Sequence, residues 1–520
     1  MQIDEWQDRA MGWARSPQAK RVLEAAVVLL SAFLLLLFLY AAWRRVRYPF
    51  EVEWIESNML VSVLRILHGQ GLYVAPSLDF VPYLYAPVYL YLAAAVTKVV
   101  GVGDHGYAGL RLVSALATLV SCAAIYALVK TETARRVPAI AAAGLYVGCY
   151  AMLGTFFDIG RVDTLFVCLM LLALLAQRRG YLILAALLWV LCAQTKQTVF
   201  PMAFFILCAE WQRPRRMVAA LATYVVAAEV SIHALNHATG GWYGYYVFHV
   251  AKGLPIVWRQ AALYLPTNVL APIGIAWVVI VAALVLTRPQ IKSAVAMFYG
   301  FVSVGVIGIV WAVQAHRGAS NNAMMPVFAW VAVMFGVAMA RLLERGERRG
   351  MPQLSTLVLV AAAAQLAALI YNPGGYIPTQ NQRAATEQFI GELRALPGDV
   401  WVIDHGYDAL LAGKQAHSDV QALGAVLDAP GLPSQPVREE FEAAKRDHRF
   451  SVVVVDNTNP KGSFQDIDQA YPLAISTGLG PYRYMTSQAQ WFLLPCETPL
   501  ALSRTLETAD RTIMPRGCDY

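Results

Sequence analysis

Long apolar stretches alternate with short charged connections along most of the chain. A helix needs about 20 apolar residues to cross a bilayer. At that length the pattern predicts eleven transmembrane helices, near residues 22–42, 108–129, 137–155, 163–177, 181–196, 198–211, 217–235, 266–287, 294–314, 323–341 and 354–371. From Tyr376 onward the apolar runs become short, which is typical of a soluble domain.

The charges of the connections predict an orientation in the membrane. Alternate connections hold two or more Lys or Arg residues: 130–136, 178–180, 213–216, 288–292 and 341–349. The connections between them hold one cation apiece, at Arg161, Lys196 and Arg317. Because short cytoplasmic loops retain Lys and Arg, we expect a multi-pass protein of the plasma (inner) membrane with its N-terminus in the cytoplasm and its tail outside.

This orientation divides the chain into three parts. Residues 1–21 are predicted to form a cytoplasmic segment, residues 22–373 a transmembrane domain, and residues 374–520 a soluble extracytoplasmic domain. In the last part, strand-like runs at 400–403 and 451–455 alternate with helical patterns at 386–396 and 437–447. The predicted fold class is therefore an all-α membrane bundle with a small C-terminal α/β domain.

The first outer loop, residues 43–107, contains two further apolar patterns. Residues 53–68 have apolar positions near helical spacing, which predicts an amphipathic helix parallel to the membrane. Residues 83–100 are apolar enough to cross, but a crossing there would place every later loop rich in Arg and Lys outside. We therefore expect this run to lie in the outer interface, with a twelfth span as the alternative.

Composition agrees with a membrane protein, since 58% of the residues are hydrophobic and only 14% are charged. The tail from Tyr376 holds 12 Lys or Arg and 18 Asp or Glu, so the rest of the chain carries most of the basic excess. Cytoplasmic loops explain that excess, and no nucleic-acid partner is expected. In an oxidising compartment Cys496 and Cys518 could form a disulfide.

Ionisable side chains collect on the predicted outer face: Glu51, Glu53, Glu56, Asp158, Arg161, Asp163, Lys196, His316 and Arg317. Such groups at the ends of membrane helices cost free energy unless they are paired or hydrated. A carboxylate there can act as general base towards an alcohol, and cations can hold a phosphate. These chemistries suit group transfer from a lipid phosphate donor.

Two short patterns in the sequence resemble metal sites. The two carboxylates of Glu51-Val52-Glu53 could hold a divalent cation, but a short acidic pair is a weak signal. His233 and His237 are spaced like two ligands on one helix, and the sequence indicates no third ligand for them. No metal site is therefore assigned.

Four stretches carry a resemblance to a known superfamily: "FEVEWIESNMLVSVLRILHGQGLY", "FVPYLYAPVYLYL", "GRVDTLF" and "AQTKQTVFP". Their order, over about residues 20–235, is similar to that of GT-C integral membrane glycosyltransferases, among them protein O-mannosyltransferases and lipid A aminoarabinose transferases. The resemblance implies a polyprenyl-phosphate sugar donor and a lipid, glycan or protein acceptor. It also implies an acidic residue of the first outer loop as catalytic base.

Carried onto this sequence, the resemblance makes Glu53 the first choice for the base and Glu56 the second. Arg161 and Asp163 match an acidic motif in a later outer loop, and Lys196 matches a basic position near the donor phosphate. The further expected substrate-binding residues are Asp158, Tyr85, His316 and Arg317. The chain departs from the family pattern in having Glu instead of Asp in the first loop, and "YAPVY" where several relatives have Lys-Pro-Pro.

The same residues can also be interpreted as purely structural. Glu53 and Glu56 could be the wet face of an interfacial helix. Arg161 and Asp163 could form an ion pair at a helix start, and Lys196 could extend to the membrane surface. For the whole protein, the alternative to an inverting glycosyltransferase is a lipid or glycan transporter, and a structural partner in envelope assembly is a third possibility.

Overall fold

The computed structural model describes residues 16–101, 106–250, 256–287, 293–316, 320–456, 464, 466–477, 491–496 and 513–515. Its main helices in the first 373 residues are α1 Pro17–Val46, α2 Ile55–Leu67, α3 Val88–Val100, α4 Ala108–Thr133, α5 Arg136–Gly148, α6 Asp163–Arg178, α7 Leu182–Ala193, α8 Val199–Leu207, α9 Pro214–Ala238, α10 Gly274–Thr287, α11 Ala294–Gln314, α12 Met325–Arg348 and α13 Pro352–Ala368. Short helical turns lie at Cys208–Glu210, Trp242–Gly244, Tyr245–His249, Trp258–Leu263, Tyr264–Leu270, Asn321–Met324 and Pro373–Tyr376.

A helix occurs near every position where a span was predicted, and the structure is mostly helical. Among the described residues, five helices are long and apolar enough to cross a membrane: α1, α4, α9, α11 and the continuous Asn321–Arg348. Two helix pairs qualify only when joined across a bend, of 85° before α10 and of 50° after α13. The membrane-bundle fold class is confirmed, and the count of eleven crossings stays a prediction.

The core of the bundle lies around α4, α5, α6 and α12. These helices pack against one another and against α1 and α7. α12 is buried along most of its length, whereas α9 and α10 keep large apolar side chains exposed on the outside of the bundle. This contrast is expected for a membrane protein, because helices at the periphery present apolar residues to lipid.

The first outer loop contains the two helices predicted from its sequence. α2 was expected to have one wet face, but every residue from Ile55 to Val63 is buried. The reason is that the C-terminal domain packs on α2 and covers its polar side. The preceding residue Glu53 is buried as well, so the interpretation of Glu53 and Glu56 as a wet helix face is wrong.

The tail forms the predicted α/β domain. Its elements are the helices α14 Gln380–Ala395, α15 Gly406–Leu411, α16 Val420–Asp428 and α17 Gln435–Arg446, the short helices Leu432–Ser434 and Ile467–Ala470, and the strands β1 Val400–Val402, β2 Val452–Val455, β3 Leu473–Ser476, β4 Trp491–Leu494 and β5 Ile513–Pro515. The sheet order is β1-β2-β4-β3-β5, with β1 parallel to β2 and the other neighbours antiparallel.

The register of β1 against β2 places two polar loops at one edge of the sheet. Val400 pairs with Val452 and Val402 with Val454, so the residues that follow both strands, Asp404–His405 and Asp456, come together. That edge faces the first outer loop. Near the end of the described chain Cys496 is disulfide-bonded, and Cys518 lies outside the described residues.

Candidate active site at the outer ends of the membrane helices

Four of the predicted site residues form one continuous set of contacts. Arg161 Nη1 donates to Glu53 Oε1 at 2.9 Å, and Arg161 Nε lies 3.4 Å from Asp163 Oδ2. Lys196 Nζ donates to Asp163 Oδ1 at 2.7 Å. All four residues are at most 9% exposed. We call Glu53, Arg161, Asp163 and Lys196 the charged chain.

Local structure explains how the members of the charged chain come together. Glu53 stands just before α2, where its Oε2 accepts from Ile55 N at 3.2 Å. Asp163 is the first residue of α6, a position that the helix dipole favours for a carboxylate. Lys196 follows the end of α7 in a turn. Because α6 and α7 are antiparallel neighbours, the start of one helix meets the end of the other.

Two side chains outside the charged chain complete its surroundings. Asn322 Nδ2 donates to Asp163 Oδ2 at 3.0 Å from the short helix that precedes α12. Tyr85, a predicted substrate-binding residue, lies with its hydroxyl oxygen 3.4 Å from Arg161 Nη2. Lys196 donates to one oxygen of Asp163 and Asn322 to the other, so neither oxygen lacks a donor. Asp163 is therefore suited to orient the two cations, not to accept a proton.

The pKa of Glu53 differs from that of an exposed glutamate. Burial raises the pKa of Glu53, and although Arg161 opposes that effect, the pKa reaches about 7. A carboxylate with a pKa near 7 is half ionised at neutral pH and can accept a proton with little free-energy cost. Among the four members of the charged chain, Glu53 is the carboxylate suited to proton transfer.

Glu56 lies next to this site but is fully occupied by internal contacts. Its carboxylate accepts from Arg111 Nε at 2.9 Å and Nη2 at 2.6 Å, and also from the backbone nitrogens of Gly160 and Val52 at 2.6 and 2.9 Å. These bonds lower the pKa of Glu56 despite its burial. A carboxylate with four donors is poorly suited to take a proton, and the choice between Glu53 and Glu56 as base stays a prediction.

Asp158 is also held away from the charged chain. Its Oδ1 accepts from Arg45 Nη1 at 2.8 Å and from the Tyr150 hydroxyl at 3.2 Å, and both charged side chains are completely buried. The ion pair between Arg45 and Asp158 connects α1 with the loop before α6. The carboxylate of Asp158 is thus paired with Arg45, near the end of α1, and its role in substrate binding stays a prediction.

His316 and Arg317 complete the predicted set. His316 is half-buried and forms an isolated β-bridge with Ile256, beside the hydrogen bond from Val257 N to Ala315 O. No contact between His316 and the charged chain is found in the described part of the structure. Arg317 lies outside the described residues. The role of both residues in phosphate binding stays a prediction.

Sequence reasoning missed the residue that organises the first outer loop, Arg111. Its guanidinium also donates to the backbone oxygens of Arg45, Tyr48 and Phe50, at 2.7–2.8 Å. One arginine therefore holds the loop from the end of α1 to Glu56. The position of Arg111 inside a predicted membrane span could have indicated this role, because an arginine there is rare and is usually paired.

The C-terminal domain reaches this region through His405. Its Nδ1 lies 2.6 Å from Glu51 Oε1, and its Nε2 lies 2.9 Å from Asp456 Oδ1. Glu51 and Glu53 therefore point to different partners. No cluster of three or more His, Cys, Asp or Glu side chains suited to a metal ion occurs within the described ranges.

The structure has an open cleft of about 460 Å³ between the first outer loop and the end of α9. It is lined by residues 71–75, by Tyr91 of α3, by the end of α9 and by Trp242. The Tyr73 hydroxyl donates to the carbonyl of Tyr85 at 2.7 Å, and Tyr85 in turn contacts Arg161. Three aromatic side chains line the cleft, Tyr73, Tyr91 and Trp242, as is common at the membrane–water interface.

Residues 84–236 match the family model described as dolichyl-phosphate-mannose-protein mannosyltransferase. That segment contains Tyr85 and three members of the charged chain. Glu53 precedes it. Curated protein sequences gave no significant match to the chain.

Solved structures match over most of the chain. ArnT from Cupriavidus metallidurans bound to undecaprenyl phosphate has a TM-score of 0.56 at 13% identity, covering 82% of this chain and 92% of that one. The same protein in the apo state has a TM-score of 0.55 at 13% identity, covering 90% and 97%. An oligosaccharyltransferase from Archaeoglobus fulgidus also matches, with a TM-score of 0.47 at 12% identity over 84% of this chain and 69% of that one.

The solved structures of ArnT share their fold with this chain, and residues 84–236 match the mannosyltransferase family model. Both findings support the resemblance to membrane glycosyltransferases of the GT-C superfamily. The resemblance stated from the sequence is confirmed at this level.

Proposed function

We propose that the protein transfers a sugar from a polyprenyl-phosphate donor to a hydroxyl-bearing acceptor on the extracytoplasmic side of the membrane. The observation that carries this proposal is the direct contact between Glu53, a buried carboxylate with a pKa near 7, and Arg161, a buried cation. A base and a phosphate ligand at adjacent positions are what sugar transfer from a lipid phosphate requires.

In the proposed reaction the acceptor oxygen attacks the anomeric carbon of the donor sugar. The acceptor proton passes to Glu53 as the new C–O bond forms. The bond between the anomeric carbon and the phosphate oxygen breaks at the same time, and the polyprenyl phosphate leaves with the electron pair. A single displacement of this kind inverts the configuration at the anomeric carbon.

Arg161 and Lys196 would bind the phosphate and stabilise the charge that develops on it. Both cations are oriented by Asp163, so they need little reorganisation during the reaction. Tyr85 would add a hydroxyl contact beside Arg161. The solved relative ArnT binds undecaprenyl phosphate, which supports a polyprenyl phosphate as the donor carrier here.

An extracytoplasmic site is supported by two separate features. The charged chain lies at the ends of helices opposite to the connections rich in Arg and Lys, which are expected to remain cytoplasmic. Cys496 in the C-terminal domain is disulfide-bonded, as is common in an oxidising compartment. The proposed location is the plasma (inner) membrane with the C-terminal domain outside.

The test is sugar transfer by the purified protein in lipid nanodiscs. The wild type is incubated with a radiolabelled polyprenyl-phosphate sugar and with lipid extract as acceptor, and products are separated by chromatography. Transfer by the wild type and its loss in Glu53→Gln support the proposal. Movement of labelled lipid across vesicles without any sugar transfer would instead favour the transporter.

A further inference from the structure

The C-terminal domain contacts the first outer loop at two separate places, each centred on a histidine. At the first place, His405 lies between Glu51 of the loop and Asp456 of the domain. At the second, His417 Nδ1 lies 3.1 Å from Asp79 Oδ1 of the loop and Nε2 lies 2.9 Å from Asp399 Oδ1 of the domain. We call these the inner and the outer clasp.

The two clasps differ in their surroundings. In the inner clasp the side chains of His405 and Glu51 are both 1% exposed. In the outer clasp the two carboxylates, Asp79 and Asp399, are 48% and 36% exposed, and Arg449 also binds Asp79 at 2.7 Å. In the outer clasp Arg449 therefore binds Asp79 in addition to the histidine, and both carboxylates are partly exposed.

In the inner clasp each ring nitrogen of His405 lies close to a carboxylate oxygen: Nε2 is hydrogen-bonded to Asp456, and Nδ1 forms an ion contact with Glu51. Burial alone would lower the pKa of His405, but Asp456, with smaller effects of Asp404 and Asp408, raises it to about 9. The ring is therefore a cation at neutral pH. It contacts a buried carboxylate of the loop, Glu51, and a partly exposed carboxylate of the C-terminal domain, Asp456.

Glu51 stands two residues before Glu53, a distance of about 7 Å or less along the chain. On the other side of Glu53, Ser57 Oγ accepts from Tyr407 N of the C-terminal domain at 2.8 Å. The Tyr407 ring packs edge-on against Tyr107 at 5.3 Å. The segment that carries Glu53 is thus held on both sides by residues 405–407.

We infer that His405 is a positioning residue for sugar transfer: through Glu51 it holds the backbone of the catalytic loop so that Glu53 meets the acceptor hydroxyl. This inference rests on the proposed function of Glu53. The cations that hold the donor phosphate belong to the loop before α6 and to the turn after α7, and His405 does not contact them. His405 should therefore affect kcat and leave the KM for the donor unchanged.

Isosteric variants separate this role from a structural one. The amide nitrogen of Asn occupies the place of Nδ1 of histidine, whereas that of Gln occupies the place of Nε2. His405→Asn keeps a donor towards Glu51, and His405→Gln keeps one towards Asp456 only. We expect His405→Ala and His405→Gln to lower kcat by about 10- to 100-fold, the usual effect of a small misplacement of a catalytic group. His405→Asn should retain most of the activity.

The matched control is His417→Ala in the outer clasp, which should leave kcat and KM near the wild-type values. Equal activity of the Asn and Gln variants of His405, better activity of the Gln variant, or an equal loss in His417→Ala would each overturn the inference. If the wild type itself transfers no sugar, it is the proposed function that fails, independently of His405.

A second measurement keeps the test decisive if the variants at His405 unfold. Glu51→Ala removes the loop side of the clasp and leaves the C-terminal domain intact. Glu51→Ala and His405→Ala should each lower kcat, and the double variant should be no worse than either, because both remove the same contact. Additive losses in kcat would show that the two residues act separately and would contradict the inference.

Discussion

Replacing Glu53 by Gln separates a catalytic role of this carboxylate from a structural one. The substitution keeps the size of the side chain and an oxygen that can accept from Arg161, but it removes the ability to take a proton. Loss of a general base typically lowers the rate by about 10²- to 10⁴-fold. We therefore expect kcat to fall by that factor, with the KM for the donor little changed.

The same substitution should not destabilise the protein. The pKa of Glu53 is raised from 4.5 to about 7 in the folded state, so the folded state prefers the neutral carboxyl group. Below pH 4.5 both states are protonated and the preference has no effect on stability. Between pH 4.5 and 7 the free energy of unfolding falls by about 1.4 kcal/mol for each pH unit, and above pH 7 the buried charge lowers it by a constant amount of about 3 kcal/mol. Gln removes this penalty.

Two measurements follow from these values. In the transfer assay, the wild-type kcat should rise with pH through about 7 and be roughly tenfold lower at pH 6 than on the plateau. In thermal unfolding at pH 8, Glu53→Gln should be at least as stable as the wild type. The control variant is Glu229→Gln, on the exposed side of α9, where the Glu229 side chain is 61% exposed.

If the contact between Glu53 and Arg161 is only structural, the opposite results are expected for the rate and for the melting temperature. Gln would then lower the melting temperature at pH 8, because it leaves Arg161 with a weaker partner, and the rate would follow only the amount of folded protein. That outcome would refute the assignment of Glu53 as the base. Glu53→Asp is informative as well, since a shorter carboxylate should retain part of the rate.

Further substitutions test the remaining parts of the site. Lys196→Met should lower kcat/KM for the donor by about 10²- to 10³-fold, measured by transfer at low donor concentration, because it removes one cation from the phosphate; an unchanged value would exclude Lys196 from the donor site. Glu56→Gln should destabilise the fold by about 3–5 kcal/mol, measured by unfolding in detergent, because it leaves Arg111 buried without its charge partner. The Cys496→Ser variant should melt at a lower temperature than the oxidised wild type and at the same temperature as the reduced wild type, since a disulfide typically contributes about 2–4 kcal/mol. An unaltered melting temperature would argue against a stabilising role of that bond.

Several parts of the fold were predictable from the sequence because they depend on local pattern. Apolar stretches identify membrane helices whatever their neighbours are, and the alternation of helix and strand signals after Tyr376 predicted the C-terminal α/β domain. The resemblance in four short stretches to GT-C glycosyltransferases is supported by the family match to residues 84–236 and by the fold shared with ArnT. Arg161, Asp163 and Lys196 were selected because charges at the ends of apolar helices require partners.

The grouping of those charges was decided by tertiary packing. The spacing in the sequence predicted that Glu53 and Glu56 share one helix face. In the structure the carboxylate of Glu56 is bound by Arg111, whereas that of Glu53 is bound by Arg161. Arg45 and Asp158 form a separate buried pair for the same reason: each charge goes to the partner that helix packing brings within reach.

The covering of α2 could not be predicted from its own periodicity either. Its polar side is buried by a domain more than 300 residues later in the chain, and a helical pattern records only which residues can be buried, not what buries them. The sequence by itself therefore determined the membrane helices, the C-terminal domain and the residues able to carry the chemistry. Only the tertiary structure decided which carboxylate is the base candidate and which histidine contacts the segment that carries it. The reason is that contacts between segments distant in sequence cannot be read from local spacing.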